Sequence, residues 1–267
     1  MISSISHLKI RLLAALLTTA TLLSGCQFNL KEIKSNQELH SELPNGISYI
    51  EKTIDEKTLQ VVTIDPTKYQ LEIVENPAPP DTKALQKIHQ EKNSLVTFNG
   101  GFFDENFRPT GLLISNSQEI SPYRKGKLIN GIFTIDQNSV PKLYPAEKFT
   151  DSKIPFVIQN GPILLDDQAQ VVVDKDLTRS AGRTAIGIDN KNQIVTILLR
   201  QSLLNQDNEM TLNDFASLLA KNEYFRTIGL HSVLNLDGGP STSLAIQEKY
   251  FPELSKVQNV IITTAKK

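Results

Sequence analysis

Short runs of apolar and β-branched residues, each bounded by turn residues, recur along most of this 267-residue chain. Runs of this length and composition are typical of β-strands. We predict strands at residues 47–54, 59–64, 69–74, 94–98, 111–115, 131–135, 156–159, 184–188, 194–199, 232–236 and 257–263. Because only short turns separate the first three strands, we expect them to form an antiparallel meander.

Helical periodicity is confined to two segments, residues 82–92 and 211–222. The apolar stripe of the second segment consists of Leu212, Phe215, Ala216 and Leu219. The regular strand–helix alternation of a doubly wound fold is missing. The pattern therefore predicts an α+β fold with a mixed, mostly antiparallel twisted sheet and a few helices, in a single domain over residues 46–267.

Charge and motif content exclude several classes of function. The chain has 28 Lys and Arg against 29 Asp and Glu, so nothing in its net charge favours nucleic-acid binding. It contains neither of the usual glycine-rich nucleotide-binding motifs and no His-Glu-x-x-His. One cysteine cannot form an intramolecular disulfide or a multi-cysteine metal site. We therefore expect no metal, no cofactor and no nucleic-acid partner.

The N-terminus has the composition of a secretory signal. Lys9 and Arg11 precede an apolar stretch over residues 12–23, which is shorter than the roughly 20 residues of a membrane span. The segment Leu23-Ser24-Gly25-Cys26 that follows resembles the lipobox of bacterial lipoproteins, in which the cysteine is acylated. An ordinary cleaved signal with an incidental cysteine is the alternative.

In the lipoprotein interpretation, residues 1–25 are the signal peptide and Cys26 carries the lipid. Residues 26–45 are polar and weakly periodic, and we interpret them as a tether. Gln27 differs from the Asp of the inner-membrane retention signal. We therefore predict a lipid-anchored protein of the bacterial cell envelope, at the outer membrane and facing the periplasm.

Four strand-like segments end in glycine and polar residues. They cover residues 96–104, 157–162, 182–187 and 234–242. Glycine lets the backbone approach a ligand closely, and successive N–H groups at such turns can bind anions. The side chains that these segments offer are Asn99, Asp104, Asn160, Arg183, Asp237, Ser241 and Thr242. One cation, two carboxylates and several neutral donors suit a sugar phosphate.

Each segment also has a structural interpretation. Asn-Gly and Asp-Gly are common hairpin turns, and Asp237-Gly238-Gly239 can precede a helix that begins near Pro240. Arg183 can be a surface strand residue. From the residues alone, the sequence predicts a polar cleft built from strand ends and leaves its function open.

Taken together and in this order, the segments resemble the phosphodiester glycosidase family. The matching stretches are Asn-Gly-Gly-Phe-Phe at 99–103, Gly-Leu at 111–112, Asn-Gly-Pro at 160–162, Arg-Thr-Ala-Ile-Gly at 183–187, Leu-Asp-Gly-Gly-Pro-Ser-Thr at 236–242 and the closing strand at 257–261. The likeness covers roughly residues 58–264, and the segment at 236–242 is its most specific part.

The resemblance implies an α+β fold in which these segments meet at one cavity, and hydrolysis of a glycosidic bond whose leaving group is a phosphodiester. In such a reaction a carboxylate near the anomeric carbon stabilises the oxocarbenium-like transition state or activates water. Asp237 is the first candidate and Asp104 the second, while Arg183 is the candidate phosphate clamp. The expected substrate-binding residues are Asn99, Gly100, Gly101, Asn160, Arg183, Thr184, Gly238, Gly239, Ser241 and Thr242. Asn99 and Asn160 are expected to hold sugar hydroxyls or to orient the carboxylates.

The sequence thus predicts an envelope hydrolase that cleaves the glycosidic bond of a sugar 1-phosphodiester of the N-acetylglucosamine type. Its expected partners are a glycan or sugar-phosphate substrate and the membrane, through the lipid on Cys26. One alternative is a non-catalytic lipoprotein that binds a glycan or phosphosugar. Another is an assembly lipoprotein with a vestigial cleft.

Overall fold

A computed structural model describes residues 43–76, 81, 83–151, 153–174, 177–200 and 207–266. Cys26, the predicted signal peptide and most of the predicted tether lie outside these residues. All described residues belong to one compact unit of the chain, Asn36–Lys267. The prediction of a single domain stays a prediction.

The described residues form sixteen strands and three α-helices. The strands are β1 (Ile47–Ile54), β2 (Lys57–Ile64), β3 (Tyr69–Glu75), β4 (Val96–Asn99), β5 (Leu113–Ser115), β6 (Gln118–Ser121), β7 (Gly131–Ile135), β8 (Pro141–Pro145), β9 (Phe156–Asn160), β10 (Ile163–Leu165), β11 (Arg183–Ile188), β12 (Ile194–Leu199), β13 (His231–Asn235), β14 (Leu244–Ile246), β15 (Lys249–Phe251) and β16 (Asn259–Ala265). The helices are α1 (Ala84–Glu91), α2 (Leu212–Lys221) and α3 (Glu223–Thr227).

The strands form three sheets. The first has the order β1-β2-β12-β11-β13-β10, the second β15-β14-β4-β16-β3 and the third β6-β5-β9-β7-β8. Every strand pair within these described sheets is antiparallel. A fold of mostly antiparallel sheets with few helices is consistent with the predicted α+β class.

The prediction of one mixed sheet is wrong. Parallel pairs need long crossover connections, usually through a helix, and the described part of the chain has only three helices. The predicted meander is also wrong at its third strand. β1 pairs with β2 over residues 47–64, whereas β3 pairs with the C-terminal strand β16 in the second sheet. The alternating burial of Tyr69, Leu71 and Ile73 fits one face of a strand in either sheet.

Two hydrophobic clusters cover the faces of the first sheet. Ile186, Leu234 and Leu236 pack into a cluster with residues of the other two sheets, including Phe98 and Phe133. On the opposite face, α2 and α3 pack with the sheet through Leu212, Phe215, Ala216, Leu219 and Phe225. The predicted stripe of α2 is therefore its buried face. Strands β11 and β12 are buried along their whole length, because both of their faces are covered.

Helix α2 begins where the sequence predicts. The hydroxyl of Thr211 accepts a hydrogen bond from the backbone N–H of Asp214 at 3.1 Å, which caps the helix. Within the described residues, no helix has the length and apolar content that crossing a membrane requires.

Candidate active site

The polar strand ends that the sequence singles out come from all three sheets and meet at one place. Asn99 ends β4 of the second sheet, Asn160 ends β9 of the third, and Arg183 begins β11 of the first. Asp237 follows β13 of the first sheet by two residues. Hydrogen bonds between these segments bring them together.

Asn99 is a buried cross-link between three of the segments. Its Nδ2 donates to the backbone oxygen of Asp237 at 2.7 Å, and its Oδ1 accepts from the hydroxyl of Thr184 at 2.8 Å. The backbone N–H of Ser243 donates to the same Oδ1 at 3.1 Å. Asn99 and Thr184 are 1% and 0% exposed. Both residues therefore hold the chain at the site together, and the predicted contact with substrate is not supported.

Asn160 has a similar role on the third sheet. Its Oδ1 accepts from the backbone N–H of Phe102 at 3.0 Å, and its Nδ2 donates to the backbone oxygen of Asn235 at 2.8 Å. Asn160 is fully buried. Its amide is thus occupied by the main chain, which differs from the predicted contact with a sugar hydroxyl.

The glycine pairs do not form the predicted anion-binding turns, because their N–H groups are already bonded. Gly100 and Gly101 donate to the backbone oxygen and the Oδ1 of Asn259, each at 2.9 Å. Gly238 donates to Oδ1 of Asp237 at 2.9 Å, and Gly239 donates to the backbone oxygen of Gly182 at 2.8 Å.

Close packing explains why glycine occupies the first of these positions. A Cβ atom on Gly100 would lie 1.9 Å from Oδ1 of Asn259. No side chain fits there unless Asn259 moves. Asn259 was not among the predicted site residues, although it fixes the backbone of the Asn-Gly-Gly segment.

A cavity of about 650 Å³ opens beside these cross-links. Its polar wall contains Asp237, Gly238, Gly239, Ser241, Arg183, Arg179 and Asn235. Its apolar lining includes Phe102, Phe103, Leu128, Pro162 and Leu177. A volume of this size and mixed lining suits a small ligand such as a sugar phosphate.

Asp237 is the carboxylate of this cavity. The backbone N–H of Gly238 and the side chain of Ser241 hydrogen-bond to it. Burial raises the pKa of Asp237 to about 6, against the lowering effect of these hydrogen bonds. Among the described residues, no Lys, Arg or His forms an ion pair with it. A carboxyl group with this pKa can change its protonation state near neutral pH.

Arg183 lines the cavity, but two of its guanidinium nitrogens donate hydrogen bonds to the main chain. Its Nε donates to the backbone oxygen of Met210 at 2.9 Å, and its Nη2 donates to the backbone oxygen of Arg179. It is 9% exposed. Burial, together with the positive charge of Arg179, lowers the pKa of Arg183 to about 10, and Glu209 opposes this shift. Arg183 remains charged at neutral pH.

Asp104, the second predicted catalytic carboxylate, is not among the residues that line the cavity. Its Oδ1 accepts the backbone N–H groups of Asn106 and Arg108, each at 2.9 Å, and its Oδ2 lies 3.2 Å from Nη2 of Arg108. Hydrogen bonding from the Arg108 backbone is the main cause that lowers the pKa of Asp104. The geometry is that of a turn acceptor, and we do not retain Asp104 as a catalytic candidate.

Of the remaining predicted site residues, one lies in the cavity wall and one in the protein interior. Ser241 lines the cavity, whereas Thr242 is buried, does not line it, and has no hydrogen-bond partner for its hydroxyl among the described residues. No group of three or more His, Cys, Asp or Glu suited to a metal ion occurs in the part of the chain that the structure describes.

The model of the phosphodiester glycosidase family matches residues 92–264. That range is about two thirds of the chain and includes every segment that forms the site.

This chain belongs to the phosphodiester glycosidase family.

Two solved structures and one curated sequence are similar to this family member. The catalytic domain of zebrafish N-acetylglucosamine-1-phosphodiester alpha-N-acetylglucosaminidase superposes with a TM-score of 0.61 at 15% identity, over 81% of each chain. A hypothetical protein from Synechocystis gives a TM-score of 0.55 at 18% identity, over 83% of this chain and 62% of that one. At these identities the likeness establishes the fold.

The curated relative is the uncharacterized protein YigE of Escherichia coli, which is 25% identical over 126 residues. The match covers 44% of this chain and 50% of YigE. The chain therefore spans about half the length of the curated relative that it matches.

The cavity residues that were missed from the sequence include two with side chains suited to a polar ligand, Arg179 and Asn235. Arg179 lies in an irregular segment before β11, and Asn235 ends β13. Asn235 donates through Nδ2 to the backbone oxygens of Gly161 at 2.9 Å and Leu236 at 2.8 Å, which leaves its buried Oδ1 without a partner among the described residues. Their proximity to the Gly-Arg-Thr and Leu-Asp-Gly-Gly motifs was the only available signal.

Proposed function

We propose that this chain hydrolyses the glycosidic bond of a sugar 1-phosphodiester of the N-acetylglucosamine type in the cavity at Asp237. The observation that carries the proposal is the composition of the polar wall. It combines a carboxylate whose pKa is raised to about 6 with two arginines, Arg179 and Arg183. Membership in the phosphodiester glycosidase family agrees with this pairing of groups.

The substrate explains why one cavity needs both kinds of charge. During cleavage, positive charge develops at the anomeric carbon, and a carboxylate stabilises it. The leaving phosphate is anionic, and arginine stabilises it through charge-assisted hydrogen bonds. Positive charge in the wall also favours binding of the anionic phosphodiester over a neutral glycoside.

In the proposed reaction, water attacks the anomeric carbon and the bond from that carbon to the phosphate oxygen breaks. The bonding electron pair leaves with the phosphate oxygen. The water supplies the hydroxyl group of the free sugar, and its released proton goes to Asp237 or to solvent. The other product is a phosphomonoester. Asp237 in its ionised form either stabilises the transition state or accepts the proton.

We further propose that the chain works at the bacterial envelope, held at the outer membrane by a lipid on Cys26. The signal-like composition of residues 1–25 and the Leu-Ser-Gly-Cys sequence support this location. Mass spectrometry of the chain purified from bacterial membranes tests the anchor. We expect an acylated N-terminal Cys26, and a soluble, unmodified chain would contradict it.

A substrate panel tests the reaction. The full chain is incubated with sugar 1-phosphodiesters, including one of N-acetylglucosamine, and free sugar and phosphomonoester are measured. We expect release of both products, and a loss of roughly a thousandfold in Asp237→Asn. Asp104→Asn is the matched control because its carboxylate lies in a turn that does not line the cavity.

Equal rates in Asp237→Asn and the wild type would refute the assignment of the site. Absence of release from every substrate, with binding retained, would favour the alternative of a non-catalytic glycan- or phosphosugar-binding lipoprotein.

A further inference from the structure

The two arginines of the cavity have different surroundings. Arg183 is buried in the first sheet, whereas Arg179 is exposed and lies on the irregular segment that precedes β11. Both line the same cavity as Asp237. A buried and an exposed guanidinium in one wall can have different roles in ligand binding, and their hydrogen bonds indicate which role each has.

Arg183 acts on the protein itself. Its Nε and Nη2 donate to the backbone oxygens of Met210 and Arg179. A second contact holds the segment that contains Arg179, because Ala181 and Met210 exchange two backbone hydrogen bonds, each at 3.1 Å. Arg183 therefore fixes the main chain from which the Arg179 side chain projects.

Within the part of the chain that the structure describes, the guanidinium of Arg179 is available, because its side chain makes no hydrogen bond and no ion pair with a carboxylate. Its positive charge nevertheless reaches Arg183, whose pKa it helps to lower. Among the described residues, no carboxylate forms an ion pair with either arginine, although Glu209 opposes the lowering of the Arg183 pKa. The two neighbouring cations create a positive field in the cavity wall, which an anion would neutralise.

We propose that Arg179 is the residue that contacts the phosphodiester and makes the cavity select a charged leaving group, while Arg183 is a positioning residue that holds Arg179 in place. A free guanidinium presents a planar fork of donors that matches two phosphate oxygens. This inference rests on the proposed function and assigns its phosphate contact to a residue other than the one predicted from the sequence.

Two ligands with the same sugar test the assignment. One is a methyl phosphodiester of N-acetylglucosamine 1-phosphate, and the other is the neutral methyl glycoside of N-acetylglucosamine. Binding of each to the full chain is measured by calorimetry, and turnover of the first is measured separately. We expect Arg179→Ala to weaken binding of the phosphodiester roughly 10- to 100-fold, with less than about a threefold effect on the glycoside.

Two further variants separate a ligand contact from a structural effect. Arg226→Ala removes an exposed arginine of α3 that does not line the cavity, and it should leave both affinities unchanged. Added guanidinium ion should restore part of the phosphodiester binding in Arg179→Ala, because that site is exposed. It should not restore Arg183→Ala, whose side chain is buried and holds two backbone oxygens.

The results distinguish the role of Arg179 from the proposed hydrolysis. Unchanged phosphodiester binding in Arg179→Ala, or equal losses for the charged and the neutral ligand, overturns the role of Arg179. Selective loss of phosphodiester binding in Arg179→Ala, together with a wild type that shows no turnover, keeps that role and overturns the proposed hydrolysis. A wild type that neither binds nor hydrolyses the phosphodiester overturns both.

Discussion

Replacement of Asp237 by asparagine should stabilise the protein at neutral pH while it removes activity. Burial raises the pKa of Asp237 from 3.8 to about 6 in the folded state. At roughly 1.36 kcal/mol for each pKa unit, this rise corresponds to about 3 kcal/mol. Because the side chain is only half-buried at the cavity surface, we expect about 1–3 kcal/mol.

The sign of the stability change follows from the order of the folded-state and unfolded-state pKa values of Asp237. Below the unfolded pKa of 3.8 both states carry the proton, so the titration of Asp237 does not change the free energy of unfolding. As the pH rises toward about 6, the unfolded state loses this proton more readily, so the wild type loses stability. Above about pH 6 the loss is complete. The asparagine side chain of the variant does not titrate, so Asp237→Asn should gain stability relative to the wild type across this window.

Urea unfolding at several pH values, from about 4 to about 7.5, measures the effect on either side of the folded-state pKa. The informative quantity is the change with pH of the difference between variant and wild type, because other titrating groups cancel in it. Asp104→Asn is the control, since hydrogen bonds from Arg108 lower the pKa of Asp104 below 3.8 and its titration therefore falls below this pH range. The difference in unfolding free energy between Asp104→Asn and the wild type should stay nearly constant across the range. A pH-independent difference for Asp237→Asn would refute the reasoning.

Three further predictions concern the site and its support. The kcat/KM for the phosphodiester should rise with pH through about 6, because the ionised form of Asp237 is the active one; a pH–rate profile that is flat there would contradict this. Gly100→Ala should cost roughly 1–3 kcal/mol in urea unfolding, because the new Cβ would lie 1.9 Å from Oδ1 of Asn259; Gly101→Ala, at 3.3 Å from its nearest neighbour, should cost less. Thr211→Ala should cost about 1 kcal/mol by removing the cap of α2, and an unchanged unfolding midpoint would show that the cap contributes nothing.

Local periodicity was sufficient to locate most elements but not to pair them. Strands at 131–135 and 194–199 occur where the apolar runs predict them, because each run is buried as a unit. The short strands β6, β8, β10, β14 and β15 were not predicted, since three to five residues carry little periodic signal. The pairing of β3 with β16 joins residues that lie between 184 (Glu75 and Asn259) and 196 (Tyr69 and Ala265) positions apart, and no local pattern encodes it.

The roles of the site residues were also difficult to predict from the sequence. The motif residues were found, but the sequence does not show whether an asparagine at a strand end binds a ligand or the backbone. The amides of Asn99 and Asn160 bind backbone atoms of segments up to 144 residues away. Arg179 was missed because its segment is irregular and is fixed by hydrogen bonds with Arg183 and Met210, which no local pattern encodes.

Hydrolysis in ¹⁸O-labelled water tests the central claim most directly, because it identifies which bond of the phosphodiester breaks. The full chain is incubated with an N-acetylglucosamine 1-phosphodiester, and the products are analysed by ³¹P NMR and mass spectrometry. A glycosidase places the label on the anomeric hydroxyl of the sugar and leaves the phosphomonoester unlabelled, which is the result we predict. Label in the phosphate would mean cleavage of the phosphorus–oxygen bond and would contradict the account.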